Sequence, residues 1–132
     1  MTIATTPTKN TTVRLLQLFA LLTALGAFAQ ALLGGYQFTA MNATIGAIHS
    51  IVGLITIVVA IITTVFAGLL SRAGGNRGLM FHALGTTVVL VVQYGLGESG
   101  VSTITHIVIG VVILLSAIAL VSLAIRKPYA KA

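Results

Sequence analysis

The stretch "SRAGGNRG", Ser71 to Gly78, is the one place between Arg14 and Glu98 where the chain carries charge. Its glycines and two arginines read as a short turn, and long apolar runs flank it on both sides. No Asp, Glu, Lys or Arg occurs from Arg14 to Arg72, between Arg77 and Glu98, or between Glu98 and Arg126. A spanning helix needs about 20 apolar residues, so these intervals hold two spans, one and one. The expected helices lie near residues 13–35, 42–70, 78–97 and 102–125. The chain therefore reads as an all-α polytopic membrane protein.

Composition agrees with that reading. Of 132 residues, 58% are hydrophobic and only 6% are charged, too few to cover a water-soluble domain with polar surface. All seven basic residues fall on one side of the layout: Lys9 and Arg14 before helix 1, Arg72 and Arg77 in the turn, and Arg126, Lys127 and Lys131 after helix 4. The positive-inside rule then places both termini in the cytoplasm, with the protein in the plasma membrane. The net charge of +6 reports topology and attraction to anionic lipid, not a nucleic-acid surface, which would need a basic patch on a soluble face. With no cysteine, disulfides, thiolate chemistry and iron–sulfur clusters are excluded.

Helix 1 ends in "AFAQ", Ala27 to Gln30, an Ala-x-Ala pattern of the secretory type. The apolar run continues through Leu32 and Leu33, longer than a usual signal core, so helix 1 is read as a retained span. Residues 1–12, rich in Thr, read as a flexible cytoplasmic tail, and 127–132 as a second one. The outer turns "GGYQFTAMNAT" and "GLGESGVST" are short, which leaves no soluble domain. Helices joined by such turns pack as an up-down-up-down bundle over residues 13–126.

An internal repeat runs through this layout. Gln30 stands four residues before Gly34 and His49 four before Gly53; Gln93 stands four before Gly97 and His106 four before Gly110. Each half thus reads Q-x-x-x-G, outer turn, H-x-x-x-G, which makes the bundle two two-helix repeats related by an axis along the membrane normal. At about 1.5 Å of rise per residue, His49 lies roughly 10 Å and His106 about 6 Å from the outer ends of their helices. Both imidazoles belong to the outer half of the membrane.

An intramembrane ionisable residue normally faces the bundle interior and has a partner there. In a four-helix square, helices 2 and 4 are diagonal, and neighbouring axes 8–10 Å apart give a diagonal of about 13 Å. That is too wide for a direct hydrogen bond between imidazoles and leaves room for a haem with one axial histidine on each face. Gly53 and Gly110, one turn from each histidine, would clear space for the macrocycle. The competing reading is that they let helices approach closely, as small residues commonly do in membranes. Gln30 and Gln93, at the same level, either reach a ligand or orient an imidazole, or else bond a neighbouring helix backbone. His82, near the inner end of helix 3, reads as snorkelling toward the cytoplasmic headgroups. Glu98 reads as a solvated interfacial carboxylate, with proton exchange beside a redox site as the other reading, and Tyr36 and Tyr94 as outer interfacial anchors.

At "QALLGG", Gln30 to Gly35, with His49 beyond it, and at "QYGLG", Gln93 to Gly97, with His106, the chain resembles one half of heme A synthase. That resemblance implies a four-helix half-bundle with His49 and His106 as axial ligands. The likeness departs where Ser50 and Ile107 stand after the histidines in place of that family's Arg, and where its intramembrane Glu and extracellular Cys pair are missing. Haem oxygenation is therefore not implied. The chain also resembles a group of small actinobacterial four-helix integral membrane proteins, which implies a fold and no activity.

The leading expectation is an integral membrane b-type haem protein. His49 and His106 are its metal ligands, Gln30, Gln93, Gly53 and Gly110 line the site, and single electrons pass to or from quinol or a respiratory complex. The alternative is a non-catalytic membrane subunit or assembly factor without cofactor. Small-solute transport is a third, weakened by the absence of charged residues at mid-membrane. Motifs of soluble enzymes are lacking, since one acid makes no carboxylate pair and no phosphate-binding loop or nucleophile elbow occurs. The oligomeric state is left open, a homo-oligomer included.

Overall fold

A computed structural model describes residues 7–100 and 102–129. They form four helices, α1 (Pro7–Ala40), α2 (Ala43–Arg72), α3 (Arg77–Ser99) and α4 (Thr103–Arg126). Each is long and apolar enough to cross a membrane. Residues 1–6 of the expected N-terminal tail and 130–132 of the C-terminal one lie outside the described residues.

The largest departure from expectation is the length of α1. It begins at Pro7, inside the expected tail, and continues to Ala40 through most of the expected outer turn. Proline suits a first helical position because its missing N–H would be unpaired there anyway. At the other end, Gly34 and Gly35 do not stop the helix. Glycine costs only about 1 kcal/mol in a helix, less than unpaired backbone at a membrane face. The 34 residues run about 51 Å, beyond the roughly 30 Å of a hydrocarbon core.

The turns are correspondingly tight. Met41 adopts φ 51°, and Asn42 caps α2 with its side-chain oxygen 2.9 Å from the Thr44 N–H and 3.2 Å from that of Ile45. After α2, Gly74 takes φ 89° and the Gly75 N–H bonds back to the Leu70 carbonyl at 2.8 Å, a Schellman ending. A Cβ on Gly75 would stand 2.6 Å from that same carbonyl oxygen, so only glycine fits. Asn76 caps α3 and also donates to the Lys127 carbonyl, which ties the chain after α4 to this turn.

Around the ring, α1 packs on α2 and α4, and α3 packs on α2 and α4. Residue numbers rise on one helix as they fall on its neighbour: Gln37 meets Gly46, Gln30 meets His49, Gly26 meets Thr56 and Thr23 meets Thr63. The interior is lined by small residues, among them Ala20, Ala67, Ala83 and Ala124 toward the basic turns and Ala27, Ala60 and Ala117 further along. Small side chains let helix backbones approach where no hydrophobic force drives association. Large ones such as Leu25, Leu32, Ile51 and Val58 point outward, where lipid solvates them.

Hydroxyls and amides tie every interface. Thr23 meets Thr63 at 3.0 Å between α1 and α2, and Thr64 meets Thr87 at 2.9 Å between α2 and α3. Thr86 meets Ser116 at 2.8 Å between α3 and α4, and Gln17 donates to the Ala124 carbonyl between α1 and α4. Such bonds contribute about 0.6 kcal/mol each in a membrane.

Buried positions in the two halves correspond. Those of α1 are Leu16, Ala20, Thr23, Ala24 and Ala27, and those of α3 are Leu79, Ala83, Thr86, Thr87 and Leu90, at one constant offset. Those of α4, Ile113, Ala117, Leu120 and Ala124, pair likewise with Thr56, Ala60, Thr63 and Ala67 of α2.

Candidate functional site

At the end away from the basic turns, α2 and α4 bring His49 and His106 together across the bundle axis. Their ring centroids are 6.2 Å apart and the ring planes cross at 70°. Both residues are half-buried, and the Nδ1 atom of each is buried without a hydrogen-bond partner. An unmet polar atom of this kind costs about 1–3 kcal/mol.

The four glycines and two glutamines explain how the rings are held. Gln30 Nε2 donates to the His49 carbonyl at 2.7 Å, and Gln93 Nε2 donates to the His106 carbonyl at 2.6 Å. In an α-helix that carbonyl already accepts from the N–H four residues on, so the amide uses its second lone pair. A side chain at the fourth residue would stand in the amide's way. A Cβ on Gly53 would lie 3.4 Å from Gln30 Oε1, and one on Gly110 would lie 3.2 Å from Gln93 Nε2.

The exchange is reciprocal. A Cβ on Gly34 would lie 3.2 Å from His49 Cε1, and one on Gly97 only 2.9 Å from His106 Cε1. Each pair of helices therefore swaps side chains: the glutamine enters the space left by the partner's glycine, and the histidine enters the space left by the glycine one turn from the glutamine.

Gly53 and Gly110 thus face Gln30, Tyr94 and Gln93, where clearance for a macrocycle was expected. Of the two readings of Gln30 and Gln93, the geometry follows the one in which each bonds a neighbouring helix backbone, and that backbone is the histidine's own. Gly34 and Gly97, which seat the imidazoles, were not singled out as site residues. Their signal was already in the Q-x-x-x-G spacing, whose meaning lies in the partner helix.

Beside this core, the α2/α3 seam carries a second polar group. Ser50 Oγ donates to Glu98 Oε1 at 2.7 Å and lies 3.2 Å from the Tyr94 hydroxyl. The Tyr94 ring rests on Gly53, with Cδ2 3.3 Å from where a Cβ would stand. Tyr94 is therefore half-buried and bonded within the bundle, unlike the exposed Tyr36.

His82 does not snorkel. Its Nε2 lies 2.9 Å from the Ser116 carbonyl oxygen and 3.3 Å from Ser116 Oγ, so the ring ties α3 to α4. A partner one helix away satisfies the ring without a reach to the headgroups. The apolar groove lined by Leu21, Ala24, Ile118 and Ile125 lies between α1 and α4 near Arg126, away from the histidine pair.

The two imidazoles, 6.2 Å apart between ring centres and each with an unpartnered Nδ1, are the residues that would hold a metal here. Among the described residues no three of His, Cys, Asp and Glu gather, so two imidazoles are the protein ligands on offer. A structural zinc site needs four ligands; a macrocycle supplies its own four and asks the protein for two. Compared with family models, curated proteins and solved structures, the chain matches none of them.

Proposed function

We propose that the chain is a b-type haem protein of the plasma membrane that passes single electrons, with His49 and His106 as its axial ligands. The observation that carries this reading is the pair of imidazoles 6.2 Å apart across the bundle, each with a buried and unpartnered Nδ1. The four helices cross the membrane up-down-up-down with both termini in the cytoplasm, which puts the pair near the outer face. Matching buried sets in α1 and α3, and the twofold recurrence of the glutamine–histidine exchange, support descent of the two halves from one two-helix unit. The likeness of both segments to half of heme A synthase points the same way.

A haem closed on both faces supplies one-electron oxidation and reduction and keeps no coordination position for oxygen chemistry. Everything else falls to the chain. His49 and His106 hold their rings at fixed separation. Gln30 and Gln93 pin the backbone carbonyl of each histidine, and Gly53 and Gly110 admit those amides. Gly34 and Gly97 set how far each ring enters the bundle. The electron donor or acceptor is a quinol or a respiratory complex at the outer face.

The test is the absorption spectrum of detergent-purified protein. A Soret band on adding haemin, lost when both histidines are replaced, is expected; its absence, or its persistence in the double variant, removes the reading. A second reading, a cofactor-free subunit or assembly factor, is favoured by the hydroxyl and amide ties at every helix interface, which lock the bundle without any ligand. Colourless, metal-free co-purification with a larger envelope complex is its signature.

A further inference from the structure

The hydrogen bonds at the outer α2/α3 seam have a direction. Ser50 spends its hydroxyl proton on Glu98 Oε1, so in the contact at 3.2 Å Tyr94 donates to Ser50 Oγ. The chain Tyr94, Ser50, Glu98 runs from a half-buried phenol to an exposed carboxylate. Its starting point rests on Gly53, one turn from His49, and its middle member follows His49 in sequence. Glu98 is the only acid in the protein, and the outer turns hold no cation for it to pair with. A lone carboxylate served by hydroxyls beside a redox pair is placed to take up protons.

We infer that this seam binds the headgroup of a hydroquinone, with Glu98 as the group that accepts its protons. The inference rests on the haem reading of the histidine pair and adds to it the place where a hydroquinone docks and the residue that takes its protons. A lipid-borne hydroquinone brings an apolar ring with hydroxyls at the membrane boundary. The half-buried Tyr94 ring, seated on Gly53, offers an apolar edge at the seam, and the exposed Glu98 offers the hydrogen-bond acceptor at its rim. In each step one hydroquinone O–H bond breaks and its proton passes to the Glu98 carboxylate. The electron would leave the ring for the haem that His49 and His106 would hold, which would supply the one-electron acceptor. Two such transfers, with that acceptor reoxidised between them by a one-electron oxidant such as a soluble cytochrome, would convert the hydroquinone to quinone. Both protons leave from Glu98 to the outer water.

The experiment compares two electron donors on haem-loaded protein. Duroquinol must surrender protons with its electrons, whereas reduced methyl viologen gives an electron alone. Glu98→Gln is expected to keep the Soret band and the viologen rate while haem reduction by duroquinol slows about a hundredfold, the usual scale for loss of one acid–base group. Tyr94→Phe, which keeps the ring on Gly53, is expected to slow duroquinol in the same selective way and by less. Independently of turnover, a photoactivated azidoquinone should label residues 47–53 or 94–100 in protein with and without haem. An unchanged duroquinol rate in Glu98→Gln, equal slowing with both donors, or labelling on other segments overturns the inference while the haem reading stands. Lack of any Soret band removes both.

Discussion

The α2/α3 and α4/α1 seams, compared at their ends away from the basic turns, differ in chemistry. Where α2/α3 has Ser50, Tyr94 and Glu98 joined by hydrogen bonds, the corresponding positions at α4/α1 are Ile107, Ala31 and Gly35. At the same level the halves agree, with Gln30 on the His49 carbonyl at 2.7 Å and Gln93 on that of His106 at 2.6 Å. The lesson is a division of labour: what holds the imidazoles is symmetric, and the hydroxyl–carboxylate hydrogen bonds of Tyr94, Ser50 and Glu98 are confined to one flank.

That comparison can be broken or sharpened by substitution. The largest effect is expected from the histidines, where His49→Ala and His106→Ala should each abolish the six-coordinate haem spectrum. A variant that keeps it would show that the two ligands are not equivalent. Next come the glycines that seat the rings. Gly97→Ala and Gly34→Ala should lower stability by about 1–3 kcal/mol through overpacking. The loss should be larger at Gly97, where the approach is 2.9 Å against 3.2 Å, as read from thermal unfolding in detergent. Gln30→Leu and Gln93→Leu should cost about 1 kcal/mol each and nearly the same amount, since each removes one hydrogen bond to a carbonyl that keeps its helical partner. A marked inequality would argue against matched halves. The smallest effect belongs to the unmatched seam: Ser50→Ala should change stability by about 0.5 kcal/mol or less.

Several features were legible because they depend on composition or spacing. The charge-free intervals located all four helices, since a bilayer demands long apolar runs. The recurrence of Gln, Gly, His and Gly picked out residues that pack against one another between α1 and α2 and between α3 and α4. The histidines were singled out because an imidazole in an apolar run needs a partner; the structure sets the two rings 6.2 Å apart, each with an Nδ1 that bonds nothing. The ends of α1 were not legible. A turn was expected from Gly34 to Thr44, but a membrane penalises open backbone, and Asn42 and Met41 alone suffice to reverse the chain. The fate of His82 depended on Ser116, thirty-four residues away, which local sequence cannot rank against the headgroups.

Glycine is the clearest case of a residue whose type was informative and whose role was not. Gly53 and Gly110 stood beside the histidines in sequence and were read as clearing space for a ligand. They make room for amides arriving from α1 and α3, while Gly34 and Gly97 make room for the imidazoles. A missing side chain announces that something approaches, but not what approaches.

By itself, the amino-acid sequence determined that the chain forms four helices long and apolar enough to cross a membrane, and that two histidines sit in their apolar runs. Those follow from hydropathy, charge and helical period, each a property of a short stretch. Only the tertiary structure decided which glycine serves which side chain, that Tyr94 turns inward to Ser50, and that His82 is tied to α4. Such pairings join different helices, and side-chain reach across an interface is set by packing distance, which no single stretch encodes.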